Sequence, residues 1–113
     1  MFAVSVREVD ALELAQWLSG ESSALRVIDV RQMQEIAGGM VPGAEAMPLH
    51  VLPERLGELS PSERLVVVCR SGARSAQACL FLQQQGFAEV YNLRGGMIGW
   101  AQCGLPVHVP AGA

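Results

Sequence analysis

Leu65-Val66-Val67-Val68 is an unbroken apolar run closed by Cys69, with no polar side chain inside it. A short, β-branched stretch of this kind suits a strand covered on both faces in a parallel sheet. The period then changes. Over residues 73–85 apolar side chains recur at Ala73, Ala76, Cys79 and Leu80, which is helical spacing, and Gly86 stands where a helix end favours a residue tolerant of positive φ.

The same alternation runs through the rest of the chain. Residues 4–6 predict a short edge strand, residues 25–30 a second strand, residues 44–49 a weak third and residues 90–93 a fifth. Between them, residues 11–18 read as a helix opened by Asp10, with Glu13 three positions on as a capping-box partner, and closed at Gly20. Residues 31–37 predict a short helix carrying an Arg31–Glu35 pair at i,i+4 and stopped by Gly38-Gly39. Pro42-Gly43 marks a turn. Residues 51–59 predict another short helix, which tolerates Pro53 only in its first turn. Gly95-Gly96 opens a last turn or helix through Trp100, and residues 105–113 form a tail. Short strands alternating with helices imply an α/β fold: a doubly wound, mainly parallel five-stranded sheet with helices on both faces. Ligands of such sheets bind beyond the carboxyl ends of the strands, which is where Cys69 falls.

Composition narrows the class. The 113 residues predict one domain, 1–113; half of them are hydrophobic and 17% charged, which excludes a disordered chain. The net charge of -3 and the lack of a basic run argue against a nucleic-acid partner. Arg7, Glu8, Asp10 and Glu13 interrupt the apolar core that a signal peptide needs, and no stretch reaches the roughly 20 apolar residues of a membrane span. Three cysteines at irregular spacing indicate neither a disulfide framework nor a zinc motif, so the expected location is a reducing cytoplasm, with no membrane partner.

The positive charge gathers in one place. Cys69 is followed by Arg70-Ser71-Gly72-Ala73-Arg74-Ser75 in a chain with only 8 Lys+Arg. A loop bending from a strand end into a helix start leaves N–H groups unpaired, and with the helix dipole they make a cradle for an anion. A thiolate is an anion. At its ordinary pKa of about 8.5 a thiol is only a few per cent ionised at neutral pH; the dipole, Arg70 and Arg74 are expected to lower that value. A buried Cys69 that merely fills space would leave both arginines unexplained. Asp29, near the end of the neighbouring strand, either orients a loop arginine or caps the helix that begins near Arg31. Cys79 falls on the apolar stripe and reads as core, Cys103 as a tail cysteine without a catalytic role. His50 and His108 have no second ligand at metal spacing, so no metal is expected. Gly95-Gly96 is not a dinucleotide fingerprint, and no cofactor is expected. Trp17 and Trp100 read as core or cleft-wall aromatics.

Taken together, the Cys69–Ser75 loop, Ile28-Asp29-Val30-Arg31, Val41-Pro42-Gly43-Ala44, residues 86–93 and Gly95-Gly96-Met97 with Trp100 resemble the rhodanese-like sulfurtransferases, specifically the single-domain members. The resemblance spans residues 28–106, and the loop is its specific part. It implies a thiosulfate sulfurtransferase: Cys69 takes a sulfane sulfur from a small anionic donor such as thiosulfate, forms a persulfide and passes the sulfur to cyanide or another thiophilic acceptor, a small thiol or a partner protein. The N–H groups of residues 70–75 would hold the charge, and Arg70 and Arg74 would attract the donor. Met40 stands where the family often has a His and Ile36 where an aromatic is often found, so no His is given a role. Two rivals remain. Cys-dependent phosphatases and arsenate reductases place the loop arginine six positions after the cysteine, whereas Arg74 comes five after Cys69. Non-catalytic rhodanese-like binding modules typically lack the nucleophile.

Overall fold

The computed structural model describes residues 5–20 and 25–111. Five strands, β1 (Arg7–Val9), β2 (Leu25–Asp29), β3 (Glu45–Ala46), β4 (Arg64–Val68) and β5 (Glu89–Leu93), form one sheet in the order β1-β5-β4-β2-β3. Every pairing is parallel. β4 lies at the centre, in register with β2 from Leu25↔Arg64 to Asp29↔Val68. Four α-helices, α1 (Ala11–Ser19), α2 (Met33–Ile36), α3 (Ala73–Gln84) and α4 (Gly96–Gln102), and a 3-10 helix at Leu52–Glu58 complete the fold.

The central strands alternate between two cores. Ile28, Leu65, Val67 and Val90 point to the face covered by Ala78, Cys79 and Leu82 of α3 and by Leu52 of the 3-10 helix. Val27, Val66, Val68 and Leu93 point to the face covered by Ala11 and Leu14 of α1 and Trp100 of α4. Burial on both sides is why β4 has no polar residue past Arg64. Asp10 caps α1 as its sequence predicts: its carboxylate accepts from the Glu13 N–H at 2.8 Å, and Glu13 accepts from the Asp10 N–H at 3.0 Å.

Several expectations are corrected. The first strand is Arg7–Val9; of residues 4–6, Val4 lies outside the described residues and Ser5 and Val6 are not strand. Pairing with Tyr91, Asn92 and Leu93 of β5 decides the position, and it buries Val9 while leaving charged Arg7 and Glu8 on the exposed edge. The third strand shrinks to two residues, and the helix expected over 51–59 is a 3-10 helix with Pro53 near its start. The buried stripe of α3 is Ser75, Ala78, Cys79 and Leu82, so Ala73, Ala76 and Leu80 are not the core positions. The tail is described to Ala111, and it is tied down: His108 bridges Met40, and the Trp100 indole donates to the Pro106 carbonyl at 2.7 Å.

Candidate active site

Cys69 follows the last residue of β4, so the sheet delivers its sulfur to the carboxyl edge beside the start of α3. The reversal passes through Gly72, the residue before α3, at φ +106°. A Cβ there would meet only ordinary contacts, so it is the left-handed backbone that calls for glycine. The turn swings the Gly72 N–H to 3.0 Å from Cys69 Sγ, and the Ser75 hydroxyl, one turn into the helix, lies 3.3 Å from the same atom.

The carbonyls of the loop face elsewhere. Cys69 O accepts from the Met97 N–H at 2.9 Å and Arg70 O from the Ile98 N–H at 3.1 Å, both in the first turn of α4. Gly96 makes this approach possible. A Cβ on Gly96 would stand 2.5 Å from each of those carbonyl oxygens, and its φ is +55°. By holding the carbonyls outward, α4 leaves the loop N–H groups turned toward the sulfur, a nest for negative charge.

Burial pushes the Cys69 thiol pKa up, but donation by the Ser75 hydroxyl and by the N–H groups of Ser75, Gly72 and Ser71 outweighs it, and the thiol lies below its ordinary value. The loop N–H groups act as the sequence leads one to expect, whereas neither Arg70 nor Arg74 is among the main groups that lower the value. Arg74 is held by both oxygens of Glu35, at 2.8 and 2.9 Å, and that pairing ranks above the Cys69 charge in raising its own pKa. In return the Arg74 guanidinium holds the Glu35 carboxyl at about 2. The expected Arg31–Glu35 ion pair is therefore not formed, because Arg74 takes the carboxylate; Arg31 reaches only the Glu35 backbone carbonyl, at 3.3 Å. Arg70 is exposed, and among the described residues its guanidinium has no hydrogen-bond or ion-pair partner. It lines a cleft of about 310 Å³ with Arg31, Glu35, Met97 and Ile98. Ala73 is the first residue of α3, and it is not among the residues whose groups donate to Cys69.

Asp29 is buried and serves Arg31. It accepts from the Arg31 N–H at 3.0 Å, from Nε at 3.0 Å and from Nη2 at 2.8 Å. Arg31 passes on to the Gly39 carbonyl at 2.7 Å. Asp29 thus makes no hydrogen bond to Arg70 or Arg74, and the residue preceding α2 in the cap position is Gln32, so both roles weighed for Asp29 give way to this pair. Its effect on Arg74 is a minor charge contribution. Cys79 is buried, and its thiol is pushed up to about 12 by burial and by the Cys69 charge; Cys103 is exposed at the end of α4.

Asn92 was not singled out by its sequence, yet it closes the site. From β5 its Nδ2 donates to the Gly72 carbonyl at 3.0 Å, and its Oδ1 accepts from the Ser75 hydroxyl. The available signal was an uncharged polar residue in an otherwise buried strand end, which must find partners inside the fold.

The Cys69 sulfur thus lies in a nest of N–H groups between β4 and α3, braced by a Gly-Gly turn. The family model described as Rhodanese-like domain matches residues 10–103. The chain belongs to the rhodanese-like family. Among rhodanese-like relatives, a protein named Sulfurtransferase from Allochromatium vinosum is 47% identical over 95% of this chain and 99% of its own length. Thiosulfate sulfurtransferase GlpE of Stutzerimonas stutzeri is 34% identical over 66% of this chain and 68% of its own. The crystal structure of a rhodanese-related protein from Thermoplasma volcanium superposes with a TM-score of 0.82 at 31% identity, covering 92% of this chain and 99% of that one.

Proposed function

We propose that this rhodanese-like chain is a thiosulfate sulfurtransferase that carries a sulfane sulfur on Cys69. The observation that carries the reading is the convergence of the Gly72 N–H at 3.0 Å and the Ser75 hydroxyl at 3.3 Å on one sulfur atom, with the N–H groups of Ser71 and Ser75 adding to the stabilisation of its charge. That arrangement stabilises a thiolate before attack, and its N–H groups an anionic persulfide after it. In the first step the Cys69 thiolate attacks the outer sulfur of thiosulfate; a new S–S bond forms, the S–S bond of the donor breaks, and its electron pair leaves with sulfite. In the second step a thiophilic acceptor, cyanide or a thiolate, attacks the outer sulfur of the persulfide, and the electron pair returns to Cys69. Arg70, exposed at the cleft and free of a carboxylate partner among the described residues, is the residue that recruits the anionic donor.

Arg74 has a different part. Both of its outer nitrogens are occupied by Glu35, so it braces the loop against α2 and is not free to embrace a tetrahedral oxyanion. This weighs against a phosphatase or arsenate reductase, as does its position five residues after Cys69. A free thiol that must stay reduced suits a reducing compartment such as the cytoplasm.

Intact-mass analysis after thiosulfate treatment tests the reading. The expected result is a gain of one sulfur atom, reversed by cyanide and absent in Cys69→Ser. No gain in the unaltered chain, or a gain that survives Cys69→Ser, would overturn it.

A further inference from the structure

The Ser75 hydroxyl has two acceptors within reach and one proton to give. Its oxygen lies 3.3 Å from Cys69 Sγ and in a short hydrogen bond to Asn92 Oδ1. The far end of Asn92 fixes which atom faces the serine. Nδ2 donates to the Gly72 carbonyl at 3.0 Å, and a carbonyl only accepts; Oδ1 is therefore the end turned to Ser75, and it too only accepts. Cys69, Ser75 and Asn92 are all buried, so an acceptor that loses this proton finds no water to replace it.

We propose that Asn92 is a positioning residue acting through Ser75: together they form a one-proton switch that gives the hydroxyl hydrogen to Cys69 when its sulfur is an empty thiolate and returns it to Asn92 when that sulfur is capped. A charged thiolate outcompetes a neutral amide oxygen for the hydrogen. In the persulfide the negative charge sits on the outer sulfur, and Sγ becomes a neutral divalent sulfur, a weak acceptor. The hydroxyl then turns back to Asn92 Oδ1. Only the O–H rotates, and no bond is made or broken. Asn92 therefore costs the empty thiolate a hydrogen bond that the loaded form keeps, which tilts Cys69 toward holding sulfur. This last consequence rests on the persulfide reading; the exchange between thiol and thiolate does not.

The experiment is the pH profile of Cys69 alkylation by iodoacetamide in the full chain, followed at Cys69 by peptide mass. Ser75→Ala should move the midpoint up. Asn92→Ala should move it down by about half to one pH unit, the size of one hydrogen bond gained by the anion, because Ser75 then has the sulfur as its sole acceptor. In the Ser75→Ala background Asn92→Ala should do nothing. Asn92→Leu, which fills the same space, repeats the measurement should the smaller side chain disturb folding. The surrounding ionisable groups are the same in every variant: Arg70, Arg74 with Glu35, Asp29 with Arg31, and Cys79. At a fixed ratio of thiosulfate to sulfite and a pH above the midpoint of the unaltered chain, where the empty form is thiolate, the persulfide-to-thiolate ratio of the Asn92 variants should fall roughly three- to ten-fold. A midpoint that stays or rises in the Asn92 variants, or a shift that persists without Ser75, overturns the switch. A chain that takes up no sulfur while the midpoints move as stated overturns the transfer reading instead.

Discussion

Gly96 shows how much can depend on one missing atom. A methyl group there would lie 2.5 Å from the carbonyl oxygens of Cys69 and Arg70, both backbone, and the φ of +55° already disfavours any other residue. Gly96→Ala should therefore push α4 off the loop, release the two carbonyls and scramble the nest. The expected cost is at least about 2 kcal/mol in urea unfolding, together with loss of sulfur uptake. Gly95-Gly96 was visible in the sequence as a turn, but not as the brace of Cys69. The carbonyls it shelters lie more than twenty residues away along the chain, and no local pattern records them. The place of Cys69 was legible, since an apolar run that stops before a basic, Gly-containing turn marks the end of a buried strand. The share of the loop N–H groups in lowering the Cys69 pKa was legible too; that of the Ser75 hydroxyl was not, and the arginines expected to help are not among its main causes, because hydrogen bonds at about 3 Å act over shorter distances than exposed guanidinium groups, which water screens.

The helices are joined by pairs that propensity does not reveal. Glu35 of α2 and Arg74 of α3 tie the loop to the neighbouring layer, and the bond is an acid-sensitive one. The carboxyl of Glu35 lies at about 2 when folded, against an ordinary value of 4.5. A folded pKa depressed in this way contributes stability that is fully present above the ordinary value and is lost as the pH falls through the folded one. Urea unfolding midpoints should accordingly fall between about pH 4.5 and pH 2, and Arg74→Gln should flatten that part of the profile. An equal slope in the variant would show that other carboxylates carry the effect. The Asp29–Arg31 pair is of another kind, with side-chain exposures of 0% and 7%. Asp29→Ala strands a buried guanidinium and should cost about 3–5 kcal/mol, read as a lowered denaturation midpoint.

Taken as a whole, the molecule closes over the Cys69 sulfur. Cys69 has 0% exposure, and the nearby cleft of about 310 Å³ is lined by Arg31, Glu35, Arg70, Met97 and Ile98 without it. Reaction with anything larger than a small reagent requires the rim to move. Alkylation of Cys69 by iodoacetamide should therefore outpace reaction with a bulky aromatic disulfide by a wider margin than at exposed Cys103, which serves as the internal standard. Equal margins at the two cysteines would show that the sulfur is already open. The alternation of apolar runs and helical stripes determined the α/β class, the order of elements and the placing of Cys69 at a strand's carboxyl end, because those follow from periods of two and 3.6 residues that each segment carries by itself. Which edge each strand joins, which face of α3 is buried, whom Arg31, Glu35 and Arg74 choose, and the part of Asn92 were decided only when distant segments met. Hydrogen bonds and ion pairs depend on a few ångströms of separation, and that separation is set by packing rather than by position along the chain.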